Sequence, residues 1–195
     1  MSFKNHIAKV KNKLASSLFI FAKIRHVIPL SIAWSLYFST FKSHLLYCLI
    51  LWGNSHSIYL QPLNILHNRF LRNLLFLPSR TPTHLLLKQA SALTISDLYK
   101  YSVAILIYKF INLPHTLPLS LNNLFHRSSQ IHNYHTRAIL SHDLFHLPCS
   151  SNVRSRHISI SGPQIWNTIP LSLKNLSSLH IFKKQLHLFL ISSIT

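Results

Sequence analysis

The chain has 195 residues, of which 48% are hydrophobic, and its 20 Lys and Arg face two acids, Asp97 and Asp143, for a formal charge of +18. So apolar a composition is not that of a disordered chain, and so few carboxylates exclude two-metal phosphoryl transfer, glycoside hydrolysis by a carboxylate pair and EF-hand calcium binding. A surface with this many unneutralised cations seeks a polyanion, nucleic acid first and an anionic membrane second.

In chain order, Ile7, Val10, Leu14, Leu18 and Phe21 recur at helical spacing and predict a helix over Phe3–Val27, with Lys9 and Lys13 on the opposite face. Pro29 ends it. A second apolar helix is expected from about Leu30 to Trp52, closed by Gly53 and Asn54 in left-handed conformation. A third runs to about Leu77 with Pro62 in its first turn, and its stripe Leu63, Leu66, Phe70, Leu74 and Leu77 faces away from Arg69 and Arg72. Pro78 and Pro82 bracket a turn, Thr83 caps a short helix through about Gln89, and a fifth helix runs from Thr94 or Ser96 to Asn112 with Asp97 in its first turn. The tract Leu113–Ser129 reads as an irregular connection. The period-two run His157–Ser161 can pair with Leu144–Leu147, which predicts a small β-hairpin whose turn comes from Pro148 and Ser150–Asn152. Leu179, Phe182, Leu186 and Leu190 share one face of a terminal helix. The expected fold is mainly α, with a helical bundle over residues 1–112, a connection over 113–129, and a small C-terminal subdomain over 130–195 holding the hairpin and the terminal helix.

Targeting and redox signals are weak. Lys9, Lys11 and Lys13 precede an apolar stretch as in a signal peptide, but Lys23 and Arg25 interrupt it. The apolar core Leu45–Trp52 is too short to span about 30 Å of hydrocarbon, so no transmembrane segment is expected. Cys48 and Cys149 have no disulfide or zinc spacing, which makes a reduced intracellular chain the default; Cys48 reads as a buried apolar residue.

The succession Phe3-Lys4-Asn5-His6-Ile7, Ile24-Arg25-His26-Val27-Ile28-Pro29, Leu36-Tyr37, Tyr47-Cys48 and Trp52-Gly53-Asn54 resembles the region after the catalytic palm in reverse transcriptases of non-LTR (LINE-type, jockey/CR1-like) retrotransposons. Leu63 to Arg72, His135-Thr136-Arg137, Gly162-Pro163-Gln164-Ile165-Trp166-Asn167-Thr168-Ile169-Pro170 and Phe182-Lys183-Lys184-Gln185-Leu186 are similar to that family's C-terminal pattern, in the same order. The resemblance covers nearly the whole chain. It implies a thumb-like helical bundle and the segment beyond it, which grip the template and primer duplex. It also implies that the catalytic aspartates belong to a palm upstream of Met1, so no catalytic residue is expected here and the palm itself is an expected partner.

Candidate contacts to RNA or an RNA/DNA duplex are the cations on exposed faces: Lys9, Lys11 and Lys13, then Arg69 and Arg72 one helical turn apart, and Arg127, Arg137, Arg154 and Arg156 around the predicted hairpin. His132, His135, His142, His146 and Cys149 fall close together, but 15 His in the chain make such spacing ordinary, and neither a metal nor another cofactor is expected. Trp52 and Trp166 read as core anchors rather than base-stacking platforms. Two other readings stay open on the residues alone: a cationic amphipathic membrane-associating protein, and a decayed transposon reading frame without function.

Overall fold

A computed structural model describes residues 3–118, 121, 124–131, 141, 143–146, 148–152 and 154–194. The chain divides into two compact units, Met1–Leu98 with Ile191–Thr195, and Tyr99–Leu190. The fold is mainly α, and among the described residues there is no strand, only an isolated antiparallel bridge between Arg127 and Leu144.

In the first unit α1 (Lys4–Ile24) buries the five residues that its periodicity marks, Ile7, Val10, Leu14, Leu18 and Phe21. The return limb is broken. It comprises α2 (Leu30–Leu36), a π-helical segment Tyr37–Lys42, α3 (Ser43–Leu46) and α4 (Leu49–Trp52), followed by α5 (Ser57–Leu74). Ser17 lies against Thr40, Phe21 stacks on Phe70 at 4.4 Å, and Arg25 reaches Asn73. Thus α1 and α5 run parallel, with the broken limb antiparallel beside them. Phe70 is fully buried and also meets the rings of Phe41 at 4.7 Å and Tyr37 at 5.5 Å. Truncating it to alanine is expected to cost about 3–5 kcal/mol, the usual range for a core phenylalanine.

Several local expectations are corrected. Gly53 has φ −68° and does not supply a left-handed residue. That conformation falls instead on Cys48 (φ 50°), Phe76 (φ 55°) and Ser91 (φ 47°). Cys48 breaks the second limb there, and it is exposed rather than buried. Helix α5 starts earlier than Pro62 suggested, because the His56 ring accepts the Ile58 N–H at 3.4 Å and caps it. Pro62 therefore lies inside the helix, where its missing N–H leaves the Ile58 carbonyl without its ladder bond. The helix ends at Leu74 because Leu77 N–H returns to the Arg72 carbonyl at 2.9 Å across the left-handed Phe76. Helix α6 (Thr83–Gln89) has Pro82, not Thr83, at its N-cap.

Helix α7 (Ile95–Asn112) begins as its sequence implies: Asp97 N–H donates to Thr94 Oγ1 at 3.1 Å, and the Thr94 hydroxyl donates to Asp97 Oδ2 at 2.7 Å. In the second unit its residues Val103, Ala104, Ile107 and Tyr108 join a core with Phe125, Leu144, Ile160, Trp166 and Ile169. After a 3-10 turn Pro114–Thr116, the described elements are α8 (Ser128–Ile131), a 3-10 turn Arg154–Arg156, α9 (Ile158–Asn167), α10 (Leu171–Lys174) and α11 (Leu179–Ser192). Helix α11 buries Phe182, Leu186 and Leu190.

The predicted hairpin is replaced by α9. The His157 ring accepts the Ser159 N–H at 3.3 Å and caps the helix, and the Ser161 hydroxyl lies 2.9 Å from that of Tyr99 while reaching back to the His157 carbonyl at 3.2 Å. The serines whose alternation suggested a strand are thus satisfied inside a helix. Leu144, the expected pairing partner, is held by a side chain: its N–H donates to Asn167 Oδ1 at 3.0 Å and its carbonyl accepts from Asn167 Nδ2 at 3.1 Å. Gly162 allows close contact here, since a Cβ would meet Phe125 Cε1 at 2.6 Å. Leu147 lies outside the described residues.

Candidate nucleic-acid interface

The first unit carries eleven Lys and Arg against one acid, Asp97, and the second nine against Asp143. On α1, Lys9, Lys11 and Lys13 are all exposed. Successive residues turn by about 100°, so Lys9 and Lys13 share the outward face while Lys11 stands about 200° around from Lys9, on the flank with Lys4. The expected cluster of three is therefore a pair and a separate residue. On α5, Arg69 is exposed, but Arg72 is half-buried and donates from Nη2 to the Thr81 carbonyl at 2.9 Å, which ties down the turn after the helix. Arg25 is similarly engaged: its guanidinium lies 3.9 Å from the centre of the Phe76 ring.

In the second unit Arg127 is exposed and donates from Nη2 to the Ile111 carbonyl at 3.0 Å. Arg154 and Arg156 are exposed on the 3-10 turn that enters α9, not on a hairpin. Arg137 lies outside the described residues. Asp143 pairs with Lys174, whose Nζ is 2.6 Å from Asp143 Oδ1 and 3.2 Å from the Ser141 carbonyl. Both acids of the chain therefore have structural partners, one at a helix start and the other on a buried lysine.

Spacing did not reveal a further basic group. Lys42, at the end of the π-helical segment, is half-buried, and burial lowers its pKa. Its Nζ lies 5.0 Å from the centre of the Phe38 ring, and Phe38 is stacked on Trp34 at 5.9 Å with an interplanar angle of 27°. These side chains line a cavity of about 30 Å³ with Tyr37 and the turn formed by Ala90, Ser91, Ala92 and Leu93. The sequence signal was the i, i+4, i+8 row of Trp34, Phe38 and Lys42. The turn that closes the cavity comes from a distant part of the chain. Behind it, His67 is buried with Nε2 2.8 Å from the Tyr37 hydroxyl and Nδ1 without a partner. Burial first, and the Lys42 charge second, push the His67 pKa down to about 4, while burial raises that of Tyr37.

The two tryptophans read as core anchors, Trp52 and Trp166, are each 1% exposed. Among the described residues no group of three or more His, Cys, Asp or Glu could hold a metal ion. His132, His135 and His142 lie outside the described residues. No described helix is long and apolar enough to cross a membrane. Comparison of the chain with family models, curated proteins and solved structures gives no match.

Proposed function

We propose that the chain is the thumb and post-thumb portion of a non-LTR retrotransposon reverse transcriptase, without the paired aspartates of the palm, and that it binds RNA or RNA/DNA duplex without sequence preference. The observation that carries this reading is the fate of the two acids. Asp97 serves the start of α7 and Asp143 serves Lys174, so the formal charge of +18 is left to an outside polyanion. The outward pair Lys9 and Lys13, with Arg69 on α5, suits phosphates, whose recognition needs charge and little else. Without a second carboxylate beside either acid, the chain by itself synthesises no DNA.

Exposed apolar side chains on α1, Phe19 at 66% and Ile20 at 61%, favour a second reading, association with an anionic membrane surface. Titrating an RNA/DNA hybrid in parallel with flotation on neutral and anionic vesicles separates the two. The nucleic-acid reading predicts duplex binding that the combined Lys9→Glu, Lys13→Glu and Arg69→Glu substitutions weaken at least about tenfold. Flotation with anionic vesicles and no duplex binding would reverse the assignment.

A further inference from the structure

We propose that Trp34, Phe38 and Lys42 form a site for one unpaired nucleotide at a strand end, an inference that rests on the nucleic-acid reading. Several aromatic side chains of the first unit are exposed, and among them Phe38, 51% exposed, carries the half-buried Trp34 ring stacked beside it and the Lys42 ammonium 5.0 Å from its centre. Planar bases stack on such rings with little regard to identity. A base inside a duplex has both faces covered by its neighbours, so only an unpaired or terminal base offers a free face. Lys42 supplies the charge. Among the described residues it has no ion pair or hydrogen bond, and Asp97, the one Asp or Glu of its unit, is bonded to Thr94. A half-buried ammonium without an internal counter-ion is stabilised by an anion brought from outside. The cavity beside it, about 30 Å³, holds a group the size of one water or one phosphate oxygen, not a base. The geometry thus points to a base on the open aromatic pair with its phosphate at Lys42. A planar stacking surface joined to one half-buried cation favours a nucleotide over a lipid headgroup, which brings no plane to stack.

The test uses the full chain with a blunt RNA/DNA hybrid and the same hybrid bearing a short single-stranded overhang, at one salt concentration. The overhang is expected to tighten binding about fivefold or more and to quench the tryptophan emission. Phe38→Ala and Lys42→Gln should each abolish that increment while blunt-duplex affinity stays unchanged, which also reports that the variants are folded. Trp34→Phe should remove the quenching. Equal affinity for the two hybrids, or an increment that survives both substitutions, overturns the site while leaving the duplex-binding reading in place. Absence of binding to either hybrid overturns both. Quenching by anionic vesicles and not by the overhang reassigns the site to a lipid headgroup.

Discussion

Replacing Asp143 with asparagine removes a charge but almost no volume, which isolates what the Lys174 pair contributes. The lysine side chain is 2% exposed and that of Asp143 19%. After the substitution the ammonium keeps a neutral amide oxygen, the Ser141 carbonyl at 3.2 Å and the Trp166 ring with its centre 5.8 Å away. Removing one partner of a buried pair costs about 3–5 kcal/mol. Here the surviving acceptors and the water that reaches residue 143 reduce that to about 2–3 kcal/mol. For a chain of 195 residues the loss corresponds to a Tm lower by about 4–12 °C, read by far-UV circular dichroism on the full chain. Combining Asp143→Asn with Lys174→Met removes the buried charge and should restore at least about half of the loss. A fall below about 1 kcal/mol, the range of surface pairs, or a double variant no better than the single one, would refute the reasoning.

Three further outcomes follow from the same structure. Because the His67 pKa is depressed from 6.5 to about 4, its neutral form is favoured by folding; stability is fully present above pH 6.5 and falls as the pH drops toward 4, by about 3 kcal/mol in total, measurable by urea unfolding across that range. Stability that stays flat over the interval in His67-containing protein contradicts this burial. Cys48→Gly relieves a left-handed non-glycine residue whose side chain is exposed and should raise stability by about 0.5–1 kcal/mol in the same assay, whereas a loss would mean that the thiol packs. Asn167→Ala leaves the Leu144 N–H and carbonyl without their partners and should lower stability by about 2 kcal/mol, with an unchanged midpoint counting against the clamp.

Much of the helical architecture could be read from spacing. The five core residues of α1, the start of α7 at Thr94 and Asp97, and the buried face of the terminal helix are each local patterns that one element states by itself. What failed depended on partners far along the chain or on competition between local bonds. Five alternating residues at His157–Ser161 are too few to outweigh a histidine cap and a serine bonded to Tyr99. Gly53 and Asn54 looked like the residues that close the second limb because both tolerate the left-handed conformation, yet Cys48 takes it. The basic residues divide in the same way. Lys9, Lys13 and Arg69 are exposed as their periodicity implies, whereas Arg72 turns to a carbonyl nine positions away and the surroundings of Lys42 are completed by the turn at Ala90–Leu93. The Gly162–Asn167 stretch has a physical role in this chain: it makes room for Phe125, supplies the buried Trp166, and clamps Leu144.

If its unneutralised cations make this chain a ligand of nucleic-acid phosphates, binding must weaken steeply as salt rises. The most direct test is the affinity of the full chain for an RNA/DNA hybrid over a series of salt concentrations. With Lys9, Lys13 and Arg69 exposed on the first unit, contact with about three phosphates predicts a log–log slope of about −3. Absence of affinity at low salt, or affinity indifferent to salt, would contradict the account.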